Sequence, residues 1–139
     1  MPRLLLAKHF RMAPQTILIA DDSSSIRSIF RFHLKELSVE VLEAETGERA
    51  LRLARLVPLS LMIADIQMPG MDGLTLVERI RHDSRAQVSK LPIVLLTSDQ
   101  SEATRARMAK VGANDILYKP ISAEALRAVT SRFLIKAAS

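Results

Sequence analysis

The chain has 139 residues, 48% of them apolar, which suits one domain with a single buried core. It contains no cysteine, and this excludes disulfides, thiolate metal sites and thiol catalysis. The formal net charge of +5 is spread along the chain without an arginine-rich run, so it reads as a solvated basic surface, and no direct nucleic-acid binding is expected.

Residues 1–14 carry no periodicity and are bracketed by Pro2 and Pro14. They form an N-terminal extension with two readings. One is a basic arm holding Arg3, Lys8 and Arg11; the other is a start of translation at Met12. Leu4-Leu5-Leu6-Ala7 is too short for a signal-peptide core and is interrupted by Lys8. No apolar stretch reaches the length of a membrane span. A cytoplasmic protein without membrane contact is expected.

From residue 15 the chain alternates short apolar runs with helical patterns. A first strand at 16–21 (Thr16-Ile17-Leu18-Ile19-Ala20, ending in Asp21) leads to a helix capped by one of Ser23, Ser24 or Ser25. That helix extends to about residue 37, with Ile26, Ile29, Phe30 and Leu34 on its inner stripe. A short strand at 39–44 precedes a helix opened by Thr46-Gly47 and stopped by Pro58. Ala50, Leu51, Leu53, Ala54 and Val57 are available for its packing, and Arg49, Arg52 and Arg55 read as its wet face. A third strand at 60–66 is followed by a loop flanked by Gly70 and Gly73, then a helix marked by Leu74, Val77 and Ile80. A fourth strand at 93–97 leads to a helix at 102–111 ended by Gly112. A fifth strand at 115–118 precedes a helix capped by Ser122, with Leu126, Val129, Phe133 and Leu134 facing inward. Five strand-helix units of this kind predict an α/β protein with a parallel sheet and helices on both faces.

Five polar residues close apolar runs: Asp21 and Asp22, Asp65, Thr97, and Lys119 followed by Pro120. In an open parallel sheet the strand ends share one edge, where ligands bind, so these side chains are expected in one pocket. Adjacent acids repel unless a cation sits between them, and two acids from the first loop with Asp65 suit a partly hydrated Mg²⁺. Helix capping by one acid, with the other solvated, is the alternative. A carboxylate held by a cation can attack phosphorus; otherwise Asp65 simply opens its loop. The Thr97 hydroxyl can donate to a phosphoryl oxygen, although threonine commonly ends strands. Lys119 can pair with Asp65, and a cis Lys119-Pro120 bond would aim it into the pocket. His9, His33 and His82 form no cluster and read as surface or boundary residues.

Taken together, Asp21-Asp22, Asp65 with Met68-Pro69-Gly70-Met71-Asp72-Gly73, Thr97 and Lys119-Pro120 resemble the signature of the receiver domain of bacterial two-component response regulators, of the single-domain, chemotaxis-regulator-like kind. The resemblance covers about residues 15–137. It implies a flavodoxin-like, doubly wound (βα)5 fold with strand order 2-1-3-4-5. It implies that Asp65 accepts a phosphoryl group from a phosphohistidine on a histidine kinase or histidine phosphotransfer protein. Asp22, Asp65 and the backbone carbonyl of Gln67 would bind Mg²⁺ directly, and Asp21 through water. Thr97 and Lys119 would contact the phosphoryl oxygens. A downstream protein target would then read the face made by the helix at 102–111, the fifth strand and the last helix. The resemblance further makes Gln67 and Asp99 tuners of phosphoryl lifetime, and Ser98 a small residue that leaves the phosphate accessible. The chain departs from the family at Ile116, where an aromatic residue is usual. Tyr118 falls on the same strand face by alternation, so either Tyr118 or a non-aromatic repacking is expected to serve.

Other readings separate on particular residues. A phosphatase of the haloacid-dehalogenase type wants a second acid two residues after the nucleophile, where this chain has Gln67. A phosphorylation-independent interaction module would not need the complete acidic set. The short tail after the last helix leads to the expectation of a stand-alone regulator that acts by binding and catalyses only its own phosphoryl transfer and autodephosphorylation. A fragment of a larger regulator or hybrid kinase is the alternative.

Overall fold

The computed structural model describes residues 14–134. The N-terminal extension, apart from Pro14, lies outside the described residues, as does His9. Five strands, β1 (Thr16–Ala20), β2 (Glu40–Ala44), β3 (Leu61–Asp65), β4 (Ile93–Thr97) and β5 (Asp115–Tyr118), form one parallel sheet in the order β2-β1-β3-β4-β5. Six helices connect and flank them: α1 (Ser24–Leu34), α2 (Gly47–Leu56), α3 (Gly73–Arg81), α4 (Ala86–Ser89), α5 (Glu102–Val111) and α6 (Ala123–Phe133).

Strand alternation divides the core into two layers. Leu18, Met62, Ile93 and Leu95 point to the side that also buries Ala50, Leu51 and Ala54 of α2, Leu76, Val77 and Ile80 of α3 and Met108 of α5. Ile17, Ile19, Leu61, Ile63, Val94 and Leu96 point to the opposite side, toward Phe30 and Leu34 of α1 and Leu126 and Val129 of α6. Each fully buried residue of this size contributes about 1.5–3 kcal/mol of transfer free energy. The three central strands, buried on both faces, therefore dominate the scaffold that holds the site.

Helix starts follow side-chain chemistry. Ser23, Thr46, Asp72, Ser101 and Ser122 each accept a hydrogen bond from a backbone N–H of the first helical turn. Gly112 ends α5 at φ +99°, a left-handed position that favours glycine.

Two expectations need correction, and one element adds to those expected. Ile29 is 47% exposed instead of facing inward. Ile26, Phe30 and Leu34 recur every four residues and fill the contact with the sheet, which leaves Ile29 on the flank. The first helix does not stay α-helical to residue 37: Lys35–Leu37 tighten into a 3-10 turn, and Ser38 at φ 54° ends it. The one-turn helix α4 is too short to show a period in the sequence; it buries Val88.

Candidate functional site: an acidic pocket at the strand ends

The C-terminal ends of β1, β3, β4 and β5 carry the polar residues. Asp21 follows β1 and is buried, with 1% of its surface exposed. Its N–H donates to Ala44 O at 3.0 Å and its Oδ1 accepts from Ser23 N at 2.9 Å. Its Oδ2 is buried and has no hydrogen-bond partner. Asp22 is exposed and Asp65 is 4% exposed. Carboxylate oxygens of Asp21, Asp22 and Asp65 lie within 4.8 Å of one another.

Three acids this close repel one another. Burial, reinforced by the Asp65 charge, pushes the Asp21 carboxyl above its ordinary range, while the Ser23 amide and Lys119 pull the other way. The Lys119 ammonium supplies one positive charge, at 2.5 Å from Asp65 Oδ2. Asp65 Oδ1 accepts from Gln67 N at 3.0 Å. A buried carboxylate oxygen without a partner, beside two further acids, fits a hard divalent cation that takes oxygen ligands. The donor set therefore fits Mg²⁺. Of the two readings of the first loop, capping falls to Ser23 and not to Asp21 or Asp22.

Thr97 ends β4 and is 5% exposed; its hydroxyl oxygen accepts from Asp99 N at 3.0 Å. Ser98 and Asp99 are exposed. Asp99 accepts from Thr104 Oγ1 at 2.6 Å and from Ser101 N at 2.9 Å, and these donors hold its carboxyl below the usual range. Lys119 N donates to Thr97 O at 2.8 Å, and the Lys119–Pro120 bond is cis. Thr97 pairs with Tyr118 in the sheet register.

Ile116 packs on the Met108 side of the sheet, while Leu117 packs on the other. Tyr118 is half-buried on the Ile116 side, where its hydroxyl accepts from Arg105 Nε of α5 at 3.3 Å. The histidines stay apart from the pocket: His33 is half-buried on α1 and His82 is exposed at the end of α3.

Two residues that shape this edge, Gly73 and Arg27, and one at the opposite edge of the sheet, Arg81, were not singled out for these contacts in the sequence. Gly73 passes so close to β3 that a Cβ there would stand 2.5 Å from Asp65 O and 2.8 Å from Ile66 Cα. The Gly70/Gly73 pair signals a loop, but not this approach. Arg27 Nη1 donates to Asp21 O at 2.6 Å. Arg81 donates to the carbonyls of Gly112, Ser89 and Leu91 and to Asn114 Oδ1, tying α3 to the loops before β4 and β5. Neither arginine carries a local sequence signal, since both occupy ordinary helical positions.

Comparison with known proteins agrees with this geometry. Residues 17–131 match the family model described as the response regulator receiver domain. The chain is 36% identical over 113 residues to the chemotaxis protein CheY1 of Helicobacter pylori, covering 80% of this chain and 90% of that one. Other curated relatives are longer, and the chain spans 43% of one and 45% of another. Among solved structures, CheY4 of Vibrio cholerae superposes with a TM-score of 0.81 at 34% identity, covering 88% of this chain and 100% of that one. The receiver domain of the sensor histidine kinase PA1611 of Pseudomonas aeruginosa, described with a magnesium ion coordinated in its active site cleft, superposes with a TM-score of 0.78 at 26% identity, covering 87% and 98%. Among the described residues no helix is long and apolar enough to cross a membrane. With a flavodoxin-like sheet, an acidic strand-end pocket and a family match across almost all described residues, the chain belongs to the response regulator receiver domains, phosphoacceptor modules of two-component signalling.

Proposed function

We propose that Asp65 is the phosphoacceptor and that phosphorylation of this one side chain switches partner binding. The observation that carries the reading is the setting of Asp65. It is a buried carboxylate facing an ammonium, beside an acid whose inner oxygen has no partner. In the proposed step an Asp65 oxygen attacks phosphorus of a phosphohistidine. The new O–P bond forms as the P–N bond breaks, and the electron pair leaves on the donor imidazole, which takes up a proton. Lys119 and Thr97 hold the phosphoryl oxygens, so the protein contributes chiefly position and charge neutralisation. Asp22, Asp65 and the Gln67 carbonyl would hold Mg²⁺, with Asp21 acting through water. The ion, when bound, screens the charge that gathers between the acids and the incoming phosphoryl oxygens.

The switch follows from the same contacts. A charged phosphoryl group on Asp65 draws the Thr97 hydroxyl away from Asp99 N, and Tyr118, paired with Thr97 across β4 and β5, repacks against α5. The α5-β5-α6 face is thereby remodelled for a downstream protein target. Ile116 packs into the core in place of the usual aromatic, so Tyr118 takes that task here. Gln67 and Asp99 flank the route of an attacking water and set the rate of autodephosphorylation; Ser98 keeps that route open. For the donor, Ile29 is exposed on α1, the helix that follows the acidic loop, and Ile26 and Ile121 are half-buried against the same core layer. Together with the exposed Pro120 they suit a helical surface on a histidine kinase or phosphotransfer protein. A cytoplasmic site of action goes with this reading.

Intact-protein mass after incubation with a small phosphodonor tests the reading. One phosphoryl adduct that requires Mg²⁺ and is lost in Asp65→Asn is expected. Adduct formation that persists in Asp65→Asn would overturn it.

A further inference from the structure

The acidic loop is held from outside by a second ionic group that belongs to this chain's own sequence. Arg27, on the second turn of α1, has a side chain only 13% exposed. Its Nη1 donates to the main-chain carbonyl of Asp21 at 2.6 Å, and its Nε donates to Glu43 Oε1 of β2 at 2.9 Å. The Asp21 carbonyl belongs to the peptide that joins Asp21 to Asp22, so its orientation sets the direction in which Asp22 leaves the backbone. The other end of the same residue is fixed too, since Asp21 N donates to Ala44 O. Neighbouring residues of β2, Glu43 and Ala44, thus clamp both ends of Asp21, one through a guanidinium and one directly.

Glu43 also accepts from Arg31 Nε at 2.9 Å and Nη2 at 2.7 Å, and Arg31 donates to Val41 O at 2.9 Å. The Arg31 bonds first, and those of Arg27 with them, keep the Glu43 carboxyl below its ordinary range. The carboxylate offsets the charge of Arg27, which would otherwise oppose a cation at the neighbouring acids.

We propose that Arg27, held by Glu43, is a positioning residue for the divalent-cation site. Arg27 fixes the Asp21–Asp22 peptide, and Glu43 aims and neutralises Arg27. A guanidinium suits this task because its rigid fork reaches a carbonyl and a carboxylate at once, which a lysine ammonium does not match. Outer-layer partners of this kind commonly change metal affinity by about 10–100-fold. The inference rests on the reading of Asp21, Asp22 and Asp65 as the cation site.

The test is calorimetric titration of the full chain with MgCl2, with thermal melts of the same samples without metal. Wild type, Arg27→Ala, Arg27→Lys, Glu43→Gln, Arg31→Ala and Asp22→Asn are compared. Arg27→Ala is expected to weaken Mg²⁺ about tenfold or more, Arg27→Lys to recover only part of that, and Glu43→Gln to weaken it severalfold. Arg31→Ala shares the Glu43 contact but does not touch the loop, so it is expected to lower the melting temperature while leaving Mg²⁺ affinity within about twofold of wild type. Folded Arg27→Ala with wild-type affinity overturns the proposal. So does an Arg31→Ala loss equal to that of Arg27→Ala, which would show general loosening. If Arg27→Ala does not fold, unchanged affinity in both Arg27→Lys and Glu43→Gln overturns it. Wild type and Asp22→Asn binding Mg²⁺ equally would instead sink the underlying site reading, whatever Arg27 does.

Discussion

Lys119 Nζ lies 2.5 Å from Asp65 Oδ2, which joins the end of β5 to the end of β3 across 54 positions of sequence. In the present state this ammonium balances one charge of the three-acid cluster, and it stands where a phosphoryl oxygen would need it. Removing it separates these two effects. Lys119→Ala should bind Mg²⁺ as tightly as wild type or severalfold more tightly, because a competing cation is gone. Adduct formation from a small phosphodonor should fall by about 100–1000-fold. Calorimetry and intact mass on the same preparation check both halves, and an undiminished adduct rate would remove Lys119 from the chemistry.

The raised Asp21 carboxyl makes a pH-dependent prediction. An acid whose pKa is raised on folding is destabilising when ionised, and the cost is present above the folded pKa. It is relieved as pH falls toward the ordinary carboxylate value, where folded and unfolded states both bind the proton. Asp21→Asn should therefore melt a few degrees higher than wild type at neutral pH without metal. The gap should close as the pH is lowered through that window, and added Mg²⁺ should stabilise wild type more than the variant. Thermal melts across pH, with and without the ion, read this directly; a gap that widens on acidification would contradict it.

Gly73 should tolerate no side chain. A Cβ there would meet Asp65 O at 2.5 Å, so either α3 or the end of β3 must shift. Gly73→Ala is expected to cost about 1–3 kcal/mol in chemical denaturation and to lower the adduct yield at Asp65. Gly112→Ala costs stability through its left-handed backbone instead, at φ +99°. It should leave the adduct yield intact, because it lies away from the pocket.

Tyr118 is the sole tyrosine, and the chain has no tryptophan, so intrinsic emission reports on one side chain. On activation by beryllofluoride with Mg²⁺, the Tyr118 hydroxyl is expected to leave Arg105 and the emission to change. Thr97→Ala should abolish that change. Emission indifferent to activation, or phosphorylation-dependent target binding that survives in Tyr118→Ala, would assign the switch to repacking around Ile116.

Arg81 is predicted to be a scaffold residue. Its guanidinium satisfies three carbonyls and Asn114 Oδ1, and Asn114 Oδ1 in turn accepts from Ile93 N at the start of β4. Arg81→Ala removes the Arg81 donor from all four acceptors, and Asn114 Oδ1 keeps only Ile93 N. It should destabilise the fold by about 2–4 kcal/mol in urea denaturation, with Mg²⁺ affinity unchanged in the folded fraction.

Much of this was legible because the relevant signals are local. Apolar runs ending in Asp, Thr or Lys mark parallel strands and one shared edge, and Ser or Thr before a helical stripe marks a cap. Strand alternation correctly put Tyr118 and Ile116 on one face. What stayed hidden depends on distance in three dimensions. Ile29 fits a helical stripe on paper, but α1 presents only the narrower line of Ile26, Phe30 and Leu34 to the sheet. Gly73 looks like a loop glycine until α3 is seen against Asp65. Arg27, Glu43 and Arg81 sit at positions where any solvated charge would serve, and only the fold brings Glu43 of β2 to Arg27 of α1.

Locating the phosphoryl group on the chain tests the central claim most directly. Borohydride reduction of the protein treated with phosphodonor and Mg²⁺ converts an aspartyl phosphate to homoserine, which peptide sequencing by mass spectrometry places at one position. Conversion at Asp65 alone, absent without Mg²⁺, is the predicted result. Conversion at Asp21 or Asp22, or a label that resists reduction because it sits on another residue type, would contradict the account.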